Sequence, residues 1–150
     1  MDPIDRKILN TLQLDGRITN LALAQTCGLS TAACYERVRR LRDSGYIQRY
    51  VALLDPARLD RALLVFVEVL LDRTTDDAFN TFAAHVQTLP DVMECYMVAG
   101  GFDYLLKVRV SDMAAYRTFL GATLAMMPGV RETRTYPVIE DVKSTTALPL

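Results

Sequence analysis

The stretch GLSTAACYERVRRLRDSGYI, residues 28–47, carries Arg37, Arg39, Arg40 and Arg42, and Arg49 follows two residues later, in a chain whose net charge is only −1. Guanidinium groups are permanently charged, fork-shaped donors that match phosphate and carboxylate geometry, so this run is chemistry for a polyanion. A second constellation lies in MVAGGFD, residues 97–103. Gly100 and Gly101 let backbone N–H groups approach a small carboxylate closely, and Asp103 can accept charge-assisted hydrogen bonds from an ammonium group. That pairing suits a zwitterion. Met97, Val98 and Phe102 add apolar surroundings, which favour an aliphatic or aromatic ligand. Thr133 and Thr135, two apart on one strand face, could complete the pocket with their hydroxyls, with Tyr136 beside them. A hairpin turn capped by Asp103 accounts for the same glycines with no ligand at all.

Other chemistry is poorly served. There is no nucleophile with an adjacent base, no carboxylate pair with an acid-base partner and no glycine-rich phosphate loop, which argues against an enzyme. Cys27, Cys34 and Cys95 match no paired CxxC pattern and read as reduced, packed thiols. His85, between Ala84 and Val86, has no clustered donors to share a metal, so no metal or cofactor is expected. Met113, Tyr116, Met126 and Met127 read as packing residues.

The small net charge conceals an asymmetry: residues 1–50 carry a net +3 and the remaining hundred a net −4. An acidic rear would be repelled by phosphate, so a nucleic acid should meet only the front. The opening MDPIDRKILN is too charged for a secretory signal, and no apolar run approaches a membrane span, so the cytoplasm is the expected compartment.

Two periodicities must position these residues. Ile4, Ile8, Leu9 and Leu12 recur at helical spacing behind an Asp2 cap and Pro3, with Gly16 expected as a left-handed stop. Thr19 caps a short second helix with Leu21, Ala24 and Cys27 inward, and Gly28 breaks it. Ser30 caps a third helix over about 31–43, with Cys34, Val38 and Leu41 buried and Gly45 ending it. The unit is an all-α helix-turn-helix domain, 1–50, of the winged kind, followed by a linker, 51–61. Beyond it, strands at 62–71, 92–99, 104–110 and 130–142 alternate with helices at 76–90 and 111–129, in the order βαββαβ. That order makes residues 62–150 a ferredoxin-like sandwich and the whole chain α+β. The first strand is mostly apolar on both faces, so the sheet face without helices is expected to be covered by another subunit.

In helix-turn-helix docking the second helix of the motif enters the major groove N-terminus first. This places Thr31, Ala32, Tyr35 and Glu36 against base edges. Arg39 and Arg40, with Arg37 at the margin, fall on phosphates, and the helix start near Ser30 takes one more. Double-stranded DNA is therefore the expected partner. Glu36 with Arg40 is the one i, i+4 pair that offsets the arginines.

The segments IDRKILNTLQLDGRITN…ERVRRLRDSGYIQRYVALLDP and GGFDYLLKVRVSDMAAYRTFLGATLAMMPGVRETRTYPVIEDVK resemble the two halves of the Lrp/AsnC (feast/famine) transcriptional regulators. The likeness runs over nearly the whole chain. It implies a sequence-specific DNA-binding regulator, nucleoid-associated, that forms homodimers assembling to octamers. It further implies a free amino acid, leucine or another apolar one, bound as effector between dimers near the GGFDY hairpin. The chain departs from the family pattern at Thr31 to Ala33, where prolines are usual, and at Gly101, where a polar residue is common. An architectural DNA-bending protein without an effector is the alternative left open.

Overall fold

The computed structural model describes residues 1–150, which divide into two compact units: residues 1–53 with 142–150, and residues 54–141. In the first unit α1 spans Pro3–Leu14, α2 Asn20–Cys27 and α3 Thr31–Asp43. Each start is fixed by a side chain that satisfies a free backbone N–H. The carboxylate of Asp2 accepts from the Asp5 N–H while that of Asp5 reaches back to the Asp2 N–H, a reciprocal capping box. Thr19 and Ser30 cap α2 and α3 through the N–H groups of Ala22 and Ala33, each at 3.2 Å.

Gly28 (φ 69°) and Gly45 (φ 79°) turn the chain left-handed after α2 and α3, a conformation that a Cβ would strain. The next N–H then wraps back at 2.9 Å to close each helix, Leu29 to Ala24 and Tyr46 to Leu41. Gly16 does not share this role. Its φ is not left-handed, and Asp15 ends α1 in an extended conformation. Glycine serves close approach there instead, since a Cβ would stand 3.2 Å from the Tyr50 ring.

Ile8, Leu9, Leu23, Ala24, Cys27, Cys34 and Leu41 form the core, with Val38 half-buried against it. Leu21, expected inward, is exposed, because the buried stripe of α2 is Leu23, Ala24 and Cys27 and Leu21 lies off its phase. Residues 47–55 pair with no strand, so no regular wing is built within the chain. The tail 142–150, expected with the sandwich, groups with the first unit. There the Gln13 amide donates to the Leu148 carbonyl at 3.1 Å and accepts its N–H at 2.6 Å.

The second unit is a four-stranded antiparallel sheet in the order β2-β3-β1-β4, with β1 Leu63–Leu71, β2 Val92–Met97, β3 Tyr104–Val110 and β4 Val130–Pro137. Val65, Val67 and Val69 stand opposite Val108, Leu106 and Tyr104. They pack with Phe82 and Val86 of α4 (Asp76–Val86) and with Tyr116 of α5 (Met113–Thr118). Tyr104 stacks at 4.5 Å on Phe82. The last helix, expected over 111–129, is α-helical only to Thr118 and then widens into a π-helical stretch at Phe119–Leu124, with the Ala125 N–H on the Leu120 carbonyl. Met113, expected inward, is exposed, one turn ahead of the stripe that begins at Tyr116.

The helix-free sheet face is mixed rather than mostly apolar. Leu64, Phe66 and Glu68 lie opposite Arg109, Lys107 and Leu105 on one side. On the other, Phe66, Glu68 and Leu70 lie opposite Tyr136, Arg134 and Glu132. Apart from Glu68, the charges come from cross-strand neighbours, which the pattern of β1 alone does not reveal. No helix is long and apolar enough to cross a membrane, and no group of three or more His, Cys, Asp or Glu side chains is placed to hold a metal ion.

Candidate nucleic-acid interface and ligand site

Burial fixes how α3 is rotated. Cys34 is wholly buried and Leu41 nearly so, which leaves Thr31, Ala32, Ala33, Tyr35, Glu36, Arg39, Arg40 and Arg42 on the exposed side. Ser30 is exposed too, its hydroxyl engaged in the cap. A residue that the sequence reading missed steadies this start: the Asn20 amide donates to the Thr31 carbonyl at 2.9 Å, tying the first turn of α2 to the first turn of α3. No spacing signal marks it, because the bond joins two helices.

The arginines divide into classes that the sequence did not separate. Arg37 is not a free phosphate ligand. Its guanidinium donates to Asp2 at 2.6 Å and to Asp5 at 2.8 Å, and its side chain is only 25% exposed. Arg40 donates to both oxygens of Asp5, at 3.0 and 2.8 Å. The expected Glu36–Arg40 pair is replaced by Glu36 with Arg39, at 2.6 Å one residue closer, because Asp5 takes Arg40. The Arg37 hydrogen bond holds the Asp2 carboxyl below its ordinary range, and the two carboxylates raise Arg37 in turn.

At the second site the hairpin joins Met97 to Tyr104, and the residues it was expected to gather are dispersed. Gly100 and Gly101 are exposed, with no atom within 4 Å of where a Cβ would stand. Met97 is exposed as well, while Val98 and Phe102 are half-buried. The Val98 N–H donates to the Asp103 carbonyl at 2.9 Å. Asp103 turns one carboxylate oxygen onto the Leu71 N–H, 2.7 Å away, so its side chain ties the hairpin to the end of β1 instead of capping the turn.

Thr133 and Thr135 do share a face, but it is the one packed by helices, opposite Val69 and Val67, and the Thr135 hydroxyl lies 2.6 Å from that of the buried Tyr116. Tyr136 belongs to the opposite face, across from Phe66, where burial and then the Glu68 charge push its phenol up. The neighbours the structure supplies instead are Glu68, Leu70, Glu132 and Arg134. With Gly101 and Phe102 they bound a cavity of about 10 Å³, room for roughly one water. These four lie on β1 and β4, far from the hairpin in sequence, and no local motif marks them.

A capped helix with one side open to solvent, in one chain with a ferredoxin-like module, is the architecture of a DNA-binding transcriptional regulator with an effector domain, and the family matches define that class. Residues 1–48 match the winged helix-turn-helix DNA-binding family, and residues 64–148 match the Lrp/AsnC ligand binding domain. The chain belongs to the Lrp/AsnC family of transcriptional regulators. It is 56% identical over 148 residues to the leucine-responsive regulatory protein of Salmonella typhimurium, covering 99% of this chain and 90% of that one. A transcriptional regulator from Neisseria meningitidis solved with L-Met superposes with a TM-score of 0.96 at 38% identity, over 99% of this chain and 96% of that one. A feast or famine regulatory protein from M. tuberculosis, complexed with L-methionine, gives 0.87 at 34% identity over 98% and 97%.

Proposed function

We propose that α3 enters the major groove N-terminus first, with Thr31, Ala32, Tyr35 and Glu36 at base edges, Arg39 and Arg40 on phosphates, and the N–H groups behind Ser30 on a further phosphate. The observation that carries this reading is the rotation of α3: with Cys34 and Leu41 anchored in the core, Arg39, Arg40 (exposed although bonded to Asp5) and the four base-edge residues all face solvent.

The hairpin around Gly100, Gly101 and Asp103 holds a free apolar amino acid as effector. Open space above both glycines and the remaining oxygen of Asp103 support this, as do the L-methionine complexes of two relatives and the leucine response named in a third. The one-water cavity of a single chain is too small for that ligand, so a second copy supplies the other wall. The chain then acts as a nucleoid-associated homodimer assembling to octamers, and effector binding alters how the copies present α3 to DNA.

Salt-dependent binding tests the first half. Arg39→Ala flattens the slope of affinity against salt, whereas Tyr35→Ala changes site preference. Unchanged slopes in the arginine variant refute the docking. Thermal unfolding with a panel of amino acids tests the second half, because a ligand bound only by the native state raises its stability. No shift with any of the twenty favours an architectural DNA-bending protein without an effector.

A further inference from the structure

Arg40 is at once tied and exposed. Its guanidinium holds both oxygens of Asp5, yet its side chain is 58% exposed, against 4% for Asp5. If Arg40 swung away, Asp5 would keep Arg37 at 2.8 Å and the Asp2 N–H at 3.3 Å, so no buried carboxylate would be left without a partner. Arg37 lacks that freedom, being held by two carboxylates at once. Arg39 differs again: its counter-charge, Glu36, sits 2.6 Å away on the same exposed helix surface.

A carboxylate that grips a guanidinium offers the same two anionic oxygens as a phosphate does. We propose that Asp5 is a specificity-determining residue, an internal stand-in for a DNA phosphate that surrenders Arg40 only to a duplex on which α3 is fully seated. This rests on the docking of α3 proposed above. In loose, sequence-independent binding, phosphates meet Arg39 and Arg42 while Arg40 stays closed on Asp5. In the seated complex a phosphate within reach of α3 displaces the carboxylate. Arg40 therefore adds to specific binding and little to binding of bulk DNA, which widens the gap between the two.

The test compares the slope of log affinity against log salt for the full-length protein on two duplexes, one enriched by selection from a random pool and one from the unselected pool. Each phosphate contact contributes about 0.9 to that slope. Arg39→Gln is expected to lower it by about 0.9 on both duplexes. Arg40→Gln should lower it by about 0.9 on the selected duplex and leave the random one unchanged. Asp5→Asn should steepen the random-duplex slope by about 0.9 and narrow the affinity ratio between the two. Equal effects of Arg40→Gln on both duplexes overturn the proposal, and so does an Asp5→Asn variant with the wild-type slope. If Asp5→Asn does not fold, the two arginine variants decide alone, since both positions are exposed. An Arg39→Gln slope unchanged on both duplexes overturns the docking itself, and the role of Asp5 with it.

Discussion

Asp103 has a structural role in the sheet and a proposed role in ligand binding, and two substitutions pull the two apart. One carboxylate oxygen accepts the Leu71 N–H at 2.7 Å, and its own N–H holds the Val69 carbonyl at 3.0 Å. Asp103→Ala leaves the Leu71 N–H unpaired. A hydrogen bond to a charged group is worth about 1.5–3 kcal/mol, so roughly 2 kcal/mol of stability should be lost. Asp103→Asn retains an oxygen at the same reach and should cost less than about 1 kcal/mol.

The ligand contact behaves differently, because an ammonium group needs the charge. Losing it in either variant removes the same 1.5–3 kcal/mol from binding, which is about a 10- to 150-fold weaker affinity. Denaturant unfolding measures the first effect, and calorimetry with L-methionine and L-leucine the second. Asp103→Asn should therefore be nearly as stable as wild type, bind DNA normally without ligand, and bind the amino acid poorly. An Asp103→Asn variant with wild-type amino-acid affinity would refute the assignment, leaving Asp103 only as the tie between the hairpin and β1.

Ser30→Ala should lower the stability of the helix-turn-helix unit by about 1 kcal/mol through loss of the α3 cap, and chemical denaturation followed by circular dichroism reads it; no change would mean that the cap bond is immaterial. The Asp2 carboxyl sits below its ordinary value of 3.8, chiefly through the Arg37 hydrogen bond, so its contribution is complete above that value and disappears as pH falls through the lower folded one. Asp2→Asn, which keeps a capping oxygen, should flatten the acid limb of the unfolding profile relative to wild type; superimposable limbs refute the ion pair. Burial pushes the Cys95 thiol up to about 11, so a thiol reagent at pH 8 should react slowly with the native protein and faster as pH rises toward that value. Immediate stoichiometric labelling of Cys95 at pH 8 would contradict its burial.

What could be read in advance follows the range of the forces involved. The three front helices are marked by neighbours in sequence: Asp2 with Pro3, Thr19, Ser30, and the left-handed Gly28 and Gly45. The strands show in their own alternation, and short connections leave the ferredoxin-like order little choice. The misses are contacts between distant segments. Arg37 and Arg40 look like free cations until α1 brings Asp5 beside them from 32 and 35 positions away. Thr135 looks like a pocket hydroxyl until α5 places Tyr116 against it. Glu68, Glu132 and Arg134 gather only when β1 pairs with β4. The π-helical widening at Phe119–Leu124 has no marker in a segment whose apolar spacing suits an ordinary helix.

These long-range contacts bear on regulation. The depression beside the hairpin is walled by Glu68, Glu132 and Arg134, groups that can meet the charged ends of an amino acid but offer its side chain only Leu70 and Phe102. An apolar side chain bound there would stay largely in water, at about 25 cal/mol lost for every Å² left exposed, unless another surface covers it. On the proposed reading that surface is a second copy of the chain, so bound amino acid and assembled protein stabilise each other. Linkage then imposes a reciprocal condition: if assembly spaces the α3 helices for DNA, a duplex that favours one assembly must shift amino-acid affinity by the same factor by which the amino acid shifts affinity for that duplex.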